Sequence, residues 1–168
     1  MALAESRQGA PAPAPPAASA ALGRLAAVPA THVIVLYDGV CGLCSRIVSF
    51  LLPRDRERRI HFAALQGAVA GEILRRHGQP PVQGDPQSII VVQAPGTPAE
   101  RLFHRSGAAL RIARALPGAW PALAAFLAVP RSIRDWVYDR IANNRYRIFG
   151  RLDACTLPSP DNRDRFLD

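Results

Sequence analysis

Two cysteines three residues apart, Cys41 and Cys44, follow a short apolar run and open a segment with helical periodicity. The start of a helix has unpaired N–H groups and the positive end of the helix dipole, so it favours a negative group. A cysteine thiol in that setting, with a free pKa of about 8.5, shifts toward the thiolate near neutral pH. The thiolate is the nucleophile of disulfide exchange, and a second thiol beside it can resolve the mixed disulfide. The pattern therefore predicts redox chemistry, with Cys41 attacking and Cys44 resolving.

Asp38, three residues before Cys41, is the third candidate catalytic residue. As a carboxylate beside the first cysteine it would raise the pKa of that thiol and oppose the helix terminus. As a buried, neutral acid it would take and return the proton of Cys44 during exchange. The alternative is a turn residue whose side chain accepts hydrogen bonds from nearby backbone N–H groups.

The elements that must position these residues follow from periodicity and turn signals. Residues 32–37 form a β-branched apolar run of strand length, Asp38-Gly39 breaks it, and helical spacing then continues to Pro53. Three further strands are predicted at residues 60–65, 88–93 and 101–105, and four further helices at residues 69–77, 107–116, 120–129 and 132–143. The short connection before the fourth strand favours an antiparallel hairpin. Ser106 is the predicted cap of the helix that follows it.

This order predicts the α/β class, with a thioredoxin-like β-α-β-α-β-β-α core and a C-terminal helical extension. A CxxC between the first strand and the first helix is where that fold carries its redox pair. We expect a disordered Ala/Pro-rich tail over residues 1–30, the core over residues 31–116, and the extension with a C-terminal tail over residues 117–168. Pro86, before the third strand, is a candidate for the cis-proline that thioredoxin folds place against the cysteines, and an ordinary loop proline is the alternative.

The charge balance narrows the classes of partner. The net charge is +8, and all 21 basic residues are Arg, which favours acidic partners or anionic surfaces. Much of this Arg is interleaved with Asp and Glu, whereas a nucleic-acid binder shows a clustered basic face, so we expect no nucleic-acid partner. Residues 131–151 carry six Arg against two Asp, a net charge of +4, and predict contact with an acidic partner or a peripheral membrane surface.

Cysteine and histidine usage bears on compartment and cofactors. Three cysteines are too few for a secreted disulfide scaffold. No run reaches the roughly 18 apolar residues of a membrane span, and no secretory signal is evident, so we expect a cytoplasmic protein. The four His are scattered without ligand spacing and only one CxxC is present, so we expect no metal and no cofactor. Cys155 is either a third redox or regulatory thiol or a structural cysteine.

The stretch YDGVCGLC, with Asp38, Cys41 and Cys44 spaced D-x-x-C-x-x-C, resembles the signature of the DCC family of thiol-disulfide oxidoreductases, which is named for those residues. Three later features are also similar to that family: RSGAALRIARAL, the segment RSIRDWVYDRIANNRYRIFGR after Val129-Pro130, and Cys155 with Pro158 close behind. The resemblance covers residues 33–158. It implies a thioredoxin-like oxidoreductase.

We therefore expect a thiol-disulfide oxidoreductase acting on a disulfide-containing protein or a small thiol, with reducing equivalents from an unidentified electron donor. One alternative is a soft-metal module that binds or delivers Cu(I) or Zn through the same CxxC. Such carriers usually have a β-α-β-β-α-β order, and the second helix before the third strand counts against this. The other alternative is a non-catalytic interaction domain.

Overall fold

A computed structural model of the chain describes residues 16–82, 86, 88–152 and 160–168. Its α-helices are α1 Pro16–Ala26, α2 Gly42–Leu51, α3 Ala68–Arg76, α4 Arg105–Ala115, α5 Arg131–Ala142 and α6 Arg145–Phe149. Its strands are β1 Val33–Tyr37, β2 Ile60–Ala64, β3 Ile90–Gln93 and β4 Arg101–His104. Two 3-10 helices span Trp120–Ala128 and Pro160–Arg165. No helix in the described ranges is both long enough and apolar enough to cross a membrane.

The four strands form one mixed sheet in the order β2-β1-β3-β4. β1 pairs with β2 in parallel, with Val33 opposite Ile60, and α2 makes the crossover between them. β3 runs antiparallel to both β1 and β4, and Ile34 of β1 lies opposite Val92. A parallel β-α-β unit followed by an antiparallel hairpin is the thioredoxin-like α/β arrangement, so the predicted fold class and the predicted hairpin are confirmed.

Helices cover both faces of the sheet, which explains why β1 is apolar at every position. Ile34 and Leu36 pack in a cluster with residues of α1 and α3, whereas Val33 and Val35 pack in a second cluster with residues of α2 and α4. All five residues of β1 are buried. A strand that is covered on both faces reads as a continuous apolar run rather than as an alternating pattern. The CxxC that follows β1 is therefore held at the end of the most buried strand.

The N-terminal segment differs from the expectation of a disordered tail over residues 1–30. Residues 1–15 lie outside the described range, but α1 forms immediately after them. Leu25 and Val28 are buried in the cluster that covers one face of the sheet, with Leu22 packed against it. The side chain of Arg24 also donates a hydrogen bond to the carbonyl oxygen of Leu167 at 3.0 Å. Leu22, Leu25 and Val28, which are spaced three residues apart, thus bury enough apolar surface for this segment to fold onto the sheet.

The start of α4 corrects the prediction that Ser106 caps this helix. The N-cap position is His104, without a side-chain capping bond, and Ser106 lies inside the first turn. Its hydroxyl donates instead to Oδ1 of Asp135 in α5. Ser106 therefore connects α4 to α5 through its hydroxyl and does not cap the start of α4, because its hydrogen-bond partner lies 29 residues away in sequence.

The helix α5 forms where periodicity places it, but most of its bulky apolar side chains face away from the core. Ile133 is 55% exposed and Trp136 is 65% exposed. Its buried residues are Asp135 and Ala142, and Tyr138 packs against the core cluster from the same side. The segment before α5, predicted as a helix, is the 3-10 helix Trp120–Ala128 with Pro121 near its start.

A buried ion pair between Arg165 and Asp55 joins the C-terminal residues to the core. Arg165 is 1% exposed, and its guanidinium pairs with Asp55 while donating to the carbonyl oxygens of Ile60 and Leu52. The carboxylate of Asp55 accepts further hydrogen bonds from the backbone N–H groups of Arg59 and Ile60. Removing one partner of such a pair leaves the other charge buried and uncompensated.

We expect Arg165→Leu to lower the free energy of unfolding by about 3–5 kcal/mol, because Asp55 would stay buried without its counter-ion. Urea denaturation followed by circular dichroism measures the effect. Arg163→Leu, at an exposed position of the same 3-10 helix, is the matched control and should change the stability by less than about 0.5 kcal/mol. Equal losses in both variants would contradict the importance of the Arg165–Asp55 pair.

Candidate active site

The two cysteines of the CxxC lie at the start of α2, one on each side of the helix boundary. Cys41 is the N-cap residue, with extended backbone dihedrals, and Cys44 lies in the first turn. Between them, Gly42 closely approaches the end of α6: a Cβ at this position would collide with the carbonyl oxygen of Phe149. The glycine therefore allows the C-terminal part of the chain to pack directly against the cysteine turn.

The surroundings of Cys41 favour its thiolate and lower the pKa of this thiol to about 6. The largest cause is a hydrogen bond from the thiol of Cys44, which stabilises a negative Cys41 sulfur. The backbone N–H groups of Cys44 and Leu43 and the positive charge of Arg145 lower the pKa further, against the opposing effect of burial. The sulfur makes no conventional capping bond, so these contributions are electrostatic rather than those of a formal helix cap.

Cys44 is affected in the opposite direction, since its pKa is raised well above the ordinary value. The leading cause is the same hydrogen bond, in which the thiol of Cys44 is the donor, followed by burial and by the negative charge on Cys41. One shared proton therefore makes the two sulfurs unequal, with Cys41 as the anion and Cys44 as the thiol. The roles predicted from the sequence, with Cys41 attacking and Cys44 resolving, stay a prediction.

Asp38 lies in the turn between β1 and α2 and is 3% exposed. Its Oδ1 accepts hydrogen bonds from the backbone N–H of Val40 and from Nε2 of Gln66, both at 3.1 Å. Its Oδ2 accepts a hydrogen bond from the hydroxyl of Tyr146 and lies 3.6 Å from the guanidinium of Arg145. The bond to Val40 is the turn role that the sequence offered as an alternative. The bond from Gln66 ties this turn to the segment after β2, and the contacts with Arg145 and Tyr146 tie it to α6.

Arg145 and Tyr146 are the site residues that sequence reasoning missed, because they were assigned to the surface at a helix end. Arg145 is instead buried, and it donates hydrogen bonds to the carbonyl oxygens of Ala142 and Pro86 and to the hydroxyl of Tyr146. Burial and the hydrogen bond to Asp38 raise the pKa of Tyr146 to about 12, so its hydroxyl stays protonated as a donor. The signal available was their place in NNRYRIFGR, a stretch within the family resemblance.

Among the described residues, the two cysteines differ in how far they are covered. Cys41 is fully buried and Cys44 is 6% exposed. The backbone beside Cys41 is covered by residues 150–152: the N–H of Gly42 donates to the carbonyl oxygen of Gly150, and the N–H of Leu152 donates to that of Val40. A cavity of about 220 Å³ reaches Cys44 and Asp38. The site is therefore open at Cys44 and covered at Cys41.

The remaining sequence candidates are Pro86, Cys155 and the histidines. Pro86 is buried and lines the cavity with Cys44, but residue 85, which precedes it, lies outside the described residues, and so does Cys155. His32 and His61 stack on each other, and His77 pairs with Glu100. Within the described ranges, no group of three or more His, Cys, Asp or Glu side chains is arranged to hold a metal ion.

Comparison with known proteins identifies the family. The model of the DCC1-like thiol-disulfide oxidoreductase family matches residues 35–151. The chain belongs to this family. It is 37% identical over 134 residues to the uncharacterized protein YuxK of Bacillus subtilis, covering 80% of this chain and 93% of YuxK. It is 40% identical over 125 residues to a DCC family protein of Arabidopsis thaliana named as chloroplastic, covering 74% of this chain and 69% of that protein. No solved structure matches the chain.

The family match has a consequence for the limits of the site. It begins within β1 and ends at residue 151, directly after α6. The matched region thus includes the cysteine turn and also Arg145 and Tyr146, which contact it from more than 100 residues away. The resemblance first noted on the D-x-x-C-x-x-C residues is confirmed at the level of the family.

We expect Arg145→Gln to raise the pKa of Cys41 from about 6 toward neutral pH, because a positive charge that favours the thiolate is lost. The pH dependence of Cys41 alkylation by iodoacetamide, followed by peptide mass spectrometry, gives this pKa as the midpoint of the rate profile. Arg147→Gln removes an exposed charge from the same helix and is the control, with an unchanged midpoint. A midpoint that stays near pH 6 in Arg145→Gln would contradict the electrostatic role of this residue.

We expect Gly42→Ala to increase the rate of Cys41 alkylation severalfold at a pH above its pKa. The new Cβ displaces the backbone near Phe149 and thereby uncovers Cys41. Gly71→Ala in α3 is the matched control, since a Cβ there meets no other atom within 4 Å. An alkylation rate equal to that of the unmodified chain would show that residues 149–152 do not limit access.

Proposed function

We propose that this protein catalyses thiol-disulfide exchange, with Cys41 as the attacking thiol and Cys44 as the resolving thiol. Membership of the DCC1-like family supports the class of reaction. The observation that carries the assignment of roles is the opposite effect on the two pKa values, lowered at Cys41 and raised at Cys44. Only a thiolate attacks a disulfide, so the cysteine that ionises near pH 6 is the nucleophile.

In the first step, the Cys41 thiolate attacks one sulfur of a substrate disulfide. A bond forms between Cys41 and that sulfur, the substrate S–S bond breaks, and the other substrate sulfur leaves as a thiolate that takes a proton from solvent. The positive charge of Arg145 stabilises the nucleophile before attack. The product of this step is a mixed disulfide, with the substrate half reduced.

In the second step, Cys44 loses its proton and attacks the sulfur of Cys41. This releases the second substrate thiol and leaves a Cys41–Cys44 disulfide, so two electrons have passed to the substrate. The negative charge on Cys41 and the hydrogen bond that it accepts are leading causes of the raised Cys44 pKa. Both disappear when Cys41 enters the mixed disulfide, so the pKa of Cys44 falls once its attack is required.

We propose Asp38 as the group that accepts the proton of Cys44. Asp38 and Cys44 line the same cavity, and the negative charge of Asp38 is among the causes of the raised Cys44 pKa. A carboxylate within reach of a thiol can serve as a general base in the resolving step. The hydrogen bonds from Gln66 and Tyr146 would hold the carboxylate in place for this role.

The substrate in this proposal is a disulfide-containing protein or a small thiol in its disulfide form, and a separate dithiol or small thiol returns the Cys41–Cys44 pair to its reduced form. Binding or delivery of Cu(I) or Zn by the same CxxC is the alternative. Cys41 and Cys44 supply two soft ligands, so a metal would need further ligands from a partner or from solvent. A non-catalytic interaction domain is the remaining alternative.

Two expectations on location and surface contacts stay predictions. The cytoplasmic location rests on the sequence alone, and one relative is named as chloroplastic. The contact of residues 131–151 with an acidic partner or a membrane surface would use the outward side of α5. There Ile133, Trp136 and Val137 are exposed, and the guanidinium of Arg140 lies over the ring of Trp136 at 5.9 Å. Basic and aromatic side chains on one exposed face suit an anionic surface.

The proposed function is tested by reduction of insulin with a dithiol as the electron donor. We expect turnover by the unmodified protein and none by Cys41→Ser. Cys44→Ser should perform the first step only and accumulate one covalently bound substrate per chain, detected by mass spectrometry. Cys155→Ser is the matched control and should retain turnover within about twofold, because the exchange uses two sulfurs. Turnover by Cys41→Ser would contradict the assignment.

Two further measurements complete this experiment. Asp38→Asn should slow resolution of the mixed disulfide and change its pH profile, whereas Tyr146→Phe keeps the carboxylate and should affect resolution less. Unchanged resolution in Asp38→Asn would remove Asp38 from the mechanism. Metal analysis of the purified protein decides between the alternatives: stoichiometric Cu(I) or Zn without turnover supports the metal module, and neither metal nor turnover supports the interaction domain.

A further inference from the structure

An apolar groove leads away from Cys44 between α2 and α4. It consists of two adjacent cavities, one of about 220 Å³ that reaches Cys44 and one of about 250 Å³ that reaches Trp120 and Leu123. The two cavities share three lining residues: Ile47 of α2, Ala109 of α4, and Ile89 just before β3. The shared residues show that the cavities form one continuous surface that begins at the proposed redox site.

The surface of the groove is almost entirely apolar along its whole length. Asp38, Arg145 and Tyr138 line the Cys44 end, but their polar groups make hydrogen bonds within the protein. At the far end, every lining residue within the described part of the chain is apolar. Trp120 and Phe50 meet edge to face there, with ring centroids 5.4 Å apart. A bound molecule thus meets mainly apolar surface in both cavities.

The side chains that border the groove are unusually open to solvent for apolar residues. Ile141 is 51% exposed, and Phe50, Trp120 and Leu123 are each more than one-third exposed. Ala109 is also exposed, although its neighbour Ala108 in α4 is buried, and its short side chain keeps the passage between the two cavities open. A contiguous exposed apolar surface of this kind marks an interaction site.

We infer that the groove binds a polypeptide segment that carries aliphatic or aromatic side chains beside its disulfide, so that the substrates are protein disulfides in apolar sequence context. This inference rests on the proposed function. The continuity of the groove with Cys44 identifies the occupant: whatever presents a disulfide to Cys41 and Cys44 must extend its adjoining residues into the groove or into solvent. Placing apolar residues in the groove removes both apolar surfaces from water.

The chemistry of the groove disfavours a small hydrophilic disulfide as its occupant. Amides and carboxylates placed at the far end would lose their hydration without finding hydrogen-bond partners. Glutathione disulfide, which consists of two hydrophilic tripeptides joined by a disulfide, would therefore gain no affinity from the far end of the groove.

The test compares three disulfides with the full-length protein: two synthetic cyclic peptides that differ only in the two residues after the second cysteine, Leu-Phe or Ser-Asn, and glutathione disulfide. We expect kcat/KM to be at least about tenfold higher for the Leu-Phe peptide than for the Ser-Asn peptide, a difference that well-filled apolar pockets supply. Ala109→Leu fills the passage and should abolish this preference, because KM for the Leu-Phe peptide rises to that of the Ser-Asn peptide. Ala125→Leu, at an exposed position of the 3-10 helix that lines neither cavity, should keep the preference.

Each outcome bears on the groove separately from the redox proposal. Equal kcat/KM for the two peptides, or an equal loss on all three substrates in Ala109→Leu, overturns the groove while leaving thiol-disulfide exchange intact. If no disulfide is reduced, the exchange proposal fails. Binding of the peptides without turnover then tests whether the groove is a binding site. In a Cys41→Ser, Cys44→Ser, Trp136→Phe variant, the Leu-Phe peptide should change the fluorescence of Trp120 and bind about tenfold more weakly when Ala109→Leu is added. Absence of a fluorescence change and of any effect of Ala109→Leu would overturn the groove as well.

Discussion

The buried positive charge of Arg145 is the interaction on which the candidate site depends. A guanidinium removed from water must be paired and hydrogen-bonded, and Arg145 finds its partners on three different parts of the chain. It meets Asp38 after β1, the carbonyl oxygen of Pro86 before β3, and the hydroxyl of its neighbour Tyr146. The hydrogen bond from the Cys44 thiol is the largest cause of the lowered pKa of Cys41, and the charge of Arg145 adds to it. One cation therefore both fixes the geometry of the cysteine turn and favours the ionised sulfur within it.

Burial and reactivity are balanced at this site in a way that follows from electrostatics. A thiolate in water gains little from a nearby positive charge, because the solvent screens it, whereas a buried thiolate gains much more. Covering Cys41 with residues 150–152 thus strengthens the effect of Arg145 and of the Cys44 thiol, but it restricts access. The cavity that opens at Cys44 offers a route to the sulfur pair that leaves this electrostatic environment in place.

The C-terminal residues 165–168 pack against the core. Leu167 belongs to the apolar cluster that contains Ile34 and Leu36, and Arg165 pairs with Asp55 inside the protein. The carboxylate of Asp168 accepts hydrogen bonds from the backbone N–H groups of Ala64 and Val69. Val69 lies in the first turn of α3, whose N-cap residue has no side chain, so the last residue of the chain supplies a hydrogen-bond acceptor at this helix start. These contacts join the C-terminal residues to β2, to the turn after α2 and to the start of α3.

The sequence by itself determined the elements whose signals are local. The apolar run of β1, the break at Asp38-Gly39 and the helical spacing up to Pro53 each lie within a short window, and together they place Cys41 and Cys44 at the junction of a strand and a helix. The order of the later strands and helices then limited the fold to a thioredoxin-like arrangement, because few topologies connect such elements without crossing. The family resemblance rested on the same stretch and on the segment that contains Arg145.

Tertiary structure decided everything that depends on partners distant in sequence. Ser106 was expected to cap a helix but found Asp135. The segment before residue 30 was expected to be disordered, yet Leu25 packs on the core and forms part of α1. Tyr146 contacts Asp38 across 108 residues, and no periodicity or turn signal encodes such a pair. The physical reason is that a side chain's ionisation, burial and hydrogen bonds are set by whichever groups folding brings beside it, and these groups come from anywhere in the chain.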